Sequence, residues 1–150
     1  YNAGSTTRNS WLKKDFRIGG AKGSGDANVP ILWSNDFKTN YDPCPPGWRV
    51  PDGGSIGVWA QAGLDINEHD FQNGGKTFGT GYCSPATWYP ETGYRSGDGS
   101  MSSSNGYYWS VAKGYYSYDS YCLCLNQGNT VSPSATMKRA NAISVRCIQE

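Results

Sequence analysis

Three stretches late in the chain alternate apolar and polar side chains at the two-residue period of a strand. In residues 107–112, Tyr107, Trp109 and Val111 fall on one face; in 121–126, Leu123 and Leu125 share a face; in 143–148, Ile143, Val145 and Cys147 do. One side of this sheet is expected to be core, containing Leu123 and Leu125. Cys122 and Cys124 then project together from the opposite, exposed side. Earlier in the chain, residues 29–34 predict a short strand. Trp48-Arg49-Val50 predicts another, entered through three prolines that force an extended path. Ile56, Trp59 and Ala60, three and four apart, predict one helix, capped by Ser55 and stopped by Gly63. Residues 67–104 read as mostly loop, with Tyr89-Pro-Glu-Thr-Gly-Tyr-Arg95 a turn that delivers Tyr94 and Arg95 into a strand. Trp33, Trp48, Trp59 and Trp109 are expected in the core.

Composition narrows what this pattern serves. At 150 residues the chain has the length of one domain with a real core. Only 17% of residues are charged and the net charge is +1, with neither a basic stripe nor an acidic tail, so nucleic acid is not an expected partner. No apolar run approaches the roughly 18 residues of a membrane span. The chain starts at Tyr1 without a methionine or leader and reads as a domain of something larger. The glycine-rich stretch 19–25 lacks the Gly-Lys-Ser/Thr of a phosphate loop.

The five cysteines, Cys44, Cys83, Cys122, Cys124 and Cys147, include no CxxC pair, and His69 is not placed among them, which disfavours zinc. Glu68-His69-Asp70 reads as a solvated loop, because neighbouring side chains diverge on a regular backbone. Low charge with many Gly, Tyr and Trp residues leans towards export. Arg95 and Arg146 suit an ion pair or a cation–π contact. Arg139 and Asn141 are expected to fix a loop at 132–137 by hydrogen bonds.

The densest chemistry lies between Tyr107 and Tyr121, which hold six of the eleven tyrosines. Tyrosine interleaved with Ser, Gly and Asp is the composition of a binding surface: a large stiff ring with a hydroxyl at its rim. An edge strand with aromatic cross-strand pairs enriches tyrosine as well.

Asp42-Pro-Cys-Pro-Pro-Gly-Trp-Arg-Val-Pro51, Trp59, Tyr89-Pro-Glu-Thr-Gly-Tyr-Arg95, Gly106-Tyr-Tyr-Trp-Ser110 and Arg139-Ala-Asn-Ala-Ile-Ser-Val-Arg-Cys147 occur in this order. The set resembles the major paralogous domain of bacterial surface lipoproteins (FISUMP), over about residues 37–150. That family is related to the formylglycine-generating enzyme fold and, more distantly, to C-type lectins. The resemblance implies an α+β, C-type-lectin-like domain with short antiparallel strands, one or two helices and long loops. It implies one domain over 1–150, C-terminal in a larger exported protein at the outer cell surface. It suggests a Cys44–Cys147 disulfide, the alternative being two buried free thiols.

Related domains form type V pilus tips, and some are variable proteins of diversity-generating retroelements. Rewriting the adenines of AAC or AAT codons yields Tyr, Ser, Asp, Asn, Cys, Ala and Thr among others, types that crowd residues 115–141. Cys122 and Cys124 would then be by-products of randomisation at exposed positions. Unmutagenised drift on an adhesin surface is the alternative.

The expected function is non-catalytic, extracellular ligand recognition, without cofactor or metal. The ligand is a protein or glycan on another cell or surface. The expected contacts are Tyr115, Tyr116, Tyr118, Asp119, Tyr121, Cys122 and Cys124, with Asn126, Ser134, Thr136 and Lys138 at the margin. A structural pilus subunit is the second reading. An oxidoreductase-like relative of the formylglycine-generating enzymes is the third, weakened because Cys122 and Cys124 have no neighbouring histidine to lower a thiol pKa. Calcium-dependent sugar binding is disfavoured: Trp33-Ser-Asn-Asp36 lies far from Pro90-Glu91, and no set of oxygen ligands gathers in sequence.

Overall fold

The computed structural model describes residues 17–18, 31–34, 36–62, 71–72, 74–78, 87–116, 119–126 and 130–150. Their elements are β1 (Arg17–Ile18), β2 (Ile31–Trp33), β3 (Trp48–Arg49), α1 (Val58–Gln61), β4 (Phe71–Gln72), β5 (Gly75–Phe78), β6 (Thr87–Pro90) and β7 (Tyr94–Arg95). Then follow β8 (Met101–Ser102), β9 (Gly106–Lys113), β10 (Asp119–Leu125), β11 (Val131–Lys138) and β12 (Ile148–Gln149). Strand accounts for 45% and helix for about 4%, with no helix of seven residues or more. The expected α+β architecture is therefore wrong for the described residues, which form a β structure.

The helix shows why. Its N-cap is Gly57, in extended conformation and without a side-chain cap, so the expected cap at Ser55 does not form. Ile56, expected on the buried face, precedes the helix and is 81% exposed. Only Trp59 carries the helix's fully buried surface. One buried side chain on a single turn supports no longer helix. Gly63, the expected stop, lies outside the described residues.

The proline-rich segment folds as its chemistry dictates. The Trp48 N–H donates to the Pro45 carbonyl at 3.0 Å, closing a turn with Pro46 and Gly47 at its centre. Gly47 has φ 77°, the left-handed value that the third position of a type II turn demands. Asp42 organises what precedes it: its carboxylate accepts the Cys44 N–H at 2.8 Å and pairs with Lys38 at 3.2 Å. Cys44 is bonded to Cys147 by a disulfide across 103 residues of sequence. Closing a loop of that length is worth about 4–5 kcal/mol in the chain-entropy account.

β9, β10 and β11 form an antiparallel sheet in the order β11-β10-β9. Tyr108 lies opposite Leu123, and Cys122 opposite Trp109. On one face Tyr108, Leu123, Leu125 and Val131 pack with Trp59, Phe78 and Tyr89. Alternation along β9 puts Val111 on the other face, in a second core with Cys44 and Val50, flanked by Trp33, Val145 and Cys147. Both faces are thus buried over most of β9 and over Cys122–Leu125 of β10, which overturns the expectation that Cys122 and Cys124 are exposed. Their exposures are 0% and 7%. A strand covered on both sides reads as a continuous apolar run, and these cysteines act as its small apolar members.

Other expectations shift similarly. Residues 132–137 belong to β11 and are no loop; Pro133 is tolerated because β11 is an edge strand with an irregular register opposite Cys122 and Cys124. Asn141 instead holds the turn at Gly97, whose N–H donates to its side-chain oxygen at 3.2 Å. The region expected to be mostly loop contains β5, paired with both β4 and β6. The expected strand at 143–148 reduces to single bridges, Arg95 with Ala142 and Tyr108 with Ser144, followed by β12. Trp48 is 42% exposed rather than core, whereas Trp59 and Trp109 are buried. Arg146 makes the cation–π contact, 4.2 Å from the centre of the Tyr89 ring.

Candidate functional site

The β9–β10 hairpin ends in a tight turn. The Gly114 N–H donates to the Asp119 carbonyl and the Asp119 N–H to the Tyr116 carbonyl, both at 3.1 Å. Gly114 is buried here, and a Cβ on it would stand 2.8 Å from the Asp119 Cβ. Beyond this closure the chain holds Tyr115 and Tyr116 in solvent, 84% and 53% exposed. Their rings meet edge to face, centroids 5.0 Å apart at 89°. That geometry suits the ring quadrupoles and needs no covering layer.

Below the tip, the front of the sheet continues the site. Asp119 lies opposite Lys138 and Tyr121 opposite Thr136. Thr136 and Lys138 are exposed and Ser134, two positions back on the same face, is half-buried. Partial burial raises the Asp119 carboxyl above its ordinary range, opposed by the charges of Lys138 and Arg139. Tyr121 is fixed: its carbonyl accepts the Ser110 hydroxyl at 2.8 Å. Its ring lies against Gly54, 3.5 Å from where a side chain there would begin.

Tyr115, Tyr116, Asp119, Tyr121, Ser134, Thr136 and Lys138 therefore belong to one end and one face of the sheet. Tyr118 lies outside the described residues. Asn126 does not join them: it follows the far end of β10, seven residues from Asp119, or roughly 23 Å along a strand. There its side-chain oxygen accepts the Cys124 thiol at 3.2 Å. Cys122 and Cys124 lie within the protein, and burial raises both thiols above the ordinary range. They offer no surface contact, so randomisation at exposed positions does not account for them.

Two features escaped the sequence pattern. The 54–57 turn beside Tyr121 carries exposed Ser55 and Ile56, which helical spacing had assigned to a cap and a buried face. An open cleft of about 550 Å³ lies between the β7–β8 hairpin and residues 142–144, with Tyr94, Arg95, Met101 and Ile143 in its wall. Neither has a periodic signature, because each is assembled from separate loops.

Among the described residues no group of three His, Cys, Asp or Glu side chains is placed to hold a metal ion. Glu68-His69-Asp70 and Cys83 fall outside them. No helix among the described residues is long and apolar enough to cross a membrane. No protein-family model, no curated protein and no solved structure matches the chain.

Proposed function

We propose that this chain is a non-catalytic, extracellular ligand-recognition domain of adhesin type, of the FISUMP kind its motifs resemble. The observation that carries this reading is the exposed Tyr115–Tyr116 pair, held out on a closed hairpin beyond the buried part of β9 and β10. Rings presented on a rigid scaffold bind with little loss of conformational freedom, and tyrosine supplies both apolar area and a hydrogen bond. The Cys44–Cys147 disulfide supports an exported setting, since such bonds persist in oxidising compartments. The buried, raised thiols of Cys122 and Cys124 weigh against thiolate chemistry.

Labelled wild-type domain and a Tyr115→Ala plus Tyr116→Ala variant, screened side by side on glycan and peptide arrays, test this. Recognition predicts ligands whose binding the variant loses by about tenfold or more. If the variant keeps its affinity for every ligand found, the assignment of this surface fails. Retroelement diversification is a further part of the proposal. It requires a near-copy of the DNA coding for 101–150, differing at adenines, beside a reverse transcriptase gene.

The second reading, a structural pilus subunit, has one observation in its favour: β11 pairs only with β10 among the described strands. Pro133 and the irregular register blunt that edge as a template for a further strand. A chain that stays monomeric at high concentration counts against this reading.

A further inference from the structure

The cleft beside the β7–β8 hairpin arises where a segment changes partners. Ala142 exchanges two backbone hydrogen bonds with Arg95 of β7, at 2.9 and 2.8 Å. Two residues later the Ser144 carbonyl accepts the Trp109 N–H of β9 at 2.9 Å. Ile143 makes the crossing, and the cleft of about 550 Å³ opens beside it. In open α/β sheets, too, ligands bind where neighbouring strands part for different partners. The frame here is preformed. The Gly97 N–H donates to the Asn141 side-chain oxygen at 3.2 Å and the Gly93 N–H to the Asn105 carbonyl at 2.9 Å. Gly93 has φ 60°, and a Cβ there would overlap the Ser102 carbonyl oxygen. A site already held open costs little ordering when it is filled.

Strand pairing sets the chemistry of the cleft. Arg95 lies directly opposite Met101 on one side and Ala142 on the other, so these side chains share a face. Arg95 is exposed, and Met101 is 83% exposed. Ser103 and Ser144, two positions beyond Met101 and Ala142, line the same cleft. Their hydroxyls make no hydrogen bond among the described residues. The Arg95 guanidinium lies at the turn end of the hairpin, 3.9 Å from where a side chain at Gly99 would begin. Glu91, the carboxylate of the cleft, stands at the opposite end, where its N–H donates to the Gly74 carbonyl at 2.6 Å.

A guanidinium recognises a carboxylate. Hydroxyls without a protein partner suit a ligand that is itself rich in hydroxyls, and a thioether offers an adaptable apolar surface. An acidic peptide would engage the arginine and leave the serines idle. A neutral sugar would do the reverse. A sugar that carries a carboxylate engages both and rests the C–H face of its ring on the thioether.

We propose that this cleft binds a carboxylate-bearing sugar residue of a glycan, a uronic or a sialic acid. Arg95 meets the carboxylate, Ser103 and Ser144 meet hydroxyls, and Met101 lies against the ring. The site is separate from the hairpin surface. Thr92, in the cleft wall, is hydrogen-bonded to the backbone of Tyr107, whereas the hairpin turn follows Lys113 at the other end of β9, roughly 20 Å along the strand.

The test is titration of the full chain with sialyllactose and with oligogalacturonate, each beside its carboxyl-reduced counterpart, and with polyglutamate as the acidic peptide. At least one acidic sugar should bind, and reducing its carboxylate should weaken it about tenfold or more. Arg95→Gln should weaken it to a similar degree, and Ser103→Ala with Ser144→Ala about threefold, both with unchanged thermal unfolding. Tyr115→Ala plus Tyr116→Ala should bind it like wild type. The proposal is overturned if neither acidic sugar binds, if the carboxyl-reduced forms bind equally well, or if both cleft variants bind like wild type. Polyglutamate that binds through Arg95 more tightly than either sugar overturns the sugar assignment. Loss of the sugar in the tyrosine variant alone moves the ligand to the hairpin, which overturns this inference and supports the recognition surface above.

Discussion

The chain contains two Tyr-Tyr pairs eight positions apart, and their surroundings treat them oppositely. Tyr108, in the first pair, is 3% exposed, packs edge to face against Tyr89, and donates its hydroxyl to the Pro90 carbonyl. Burial pushes its pKa up to about 12. Tyr115 and Tyr116, in the second, meet edge to face and are 84% and 53% exposed. The same residue type thus stabilises a core in one place and stands in solvent in the other. What separates them is the layer lying over each pair: Tyr89, Phe78 and Trp59 complete the core around Tyr108, while the tip lies past the sheet's end.

The sharpest way to break this contrast is Tyr108→Ala. Removing a buried ring should cost about 3–5 kcal/mol, read from the urea midpoint, whereas Ala at the tip should cost almost nothing. An equal loss at both places would mean the tip is a packed element.

High pH probes the buried side next. The native protein favours the neutral thiol of Cys122, while the unfolded chain releases that proton above roughly pH 8.5. The unfolded state then binds fewer protons, so stability holds below that pH and falls as pH rises through it, by up to about 1.4 kcal/mol per pH unit for this group. Tyr108 adds a loss in the same direction above about pH 10. Denaturant titrations at several alkaline pH values measure the slope, and Cys122→Ala should flatten its first part.

Gly114→Ala tests how the tip is joined to the sheet. The added methyl group meets Asp119, so a destabilisation of about 1–3 kcal/mol and weaker ligand binding are expected together. Unchanged stability would show that the turn can open. The smallest effect belongs to Tyr115→Ala plus Tyr116→Ala, within about 0.5 kcal/mol of wild type in stability. A larger loss would make the tyrosines structural.

How much of this was readable beforehand depends on the range of the forces involved. Leu123 and Leu125 were legible as core because alternation reports which positions share a face. Alternation does not report how many layers cover a sheet, so it misplaced Cys122 and Cys124. Spacing suggested a helix at 56–60, yet Gly57 and the tight 54–57 turn leave one turn only. Pro133 concealed β11, because a proline reads as a break until an edge with spare donors is known to lie there. The sequence of the 107–121 segment marked it as sticky without telling which tyrosines are reachable.

By itself, then, the sequence determined the short-range features: the Pro46-Gly47 turn, the alternating strands and the concentration of tyrosine, each set by local dihedral limits and side-chain type. Only the tertiary structure decided that both faces are covered over most of β9 and over Cys122–Leu125 of β10, that Cys44 meets Cys147, and that Tyr121 comes to rest on Gly54 beside an exposed Ile56. Those contacts join residues tens of positions apart in the chain. Burial belongs to the assembled layers, and no local pattern encodes what will lie on top.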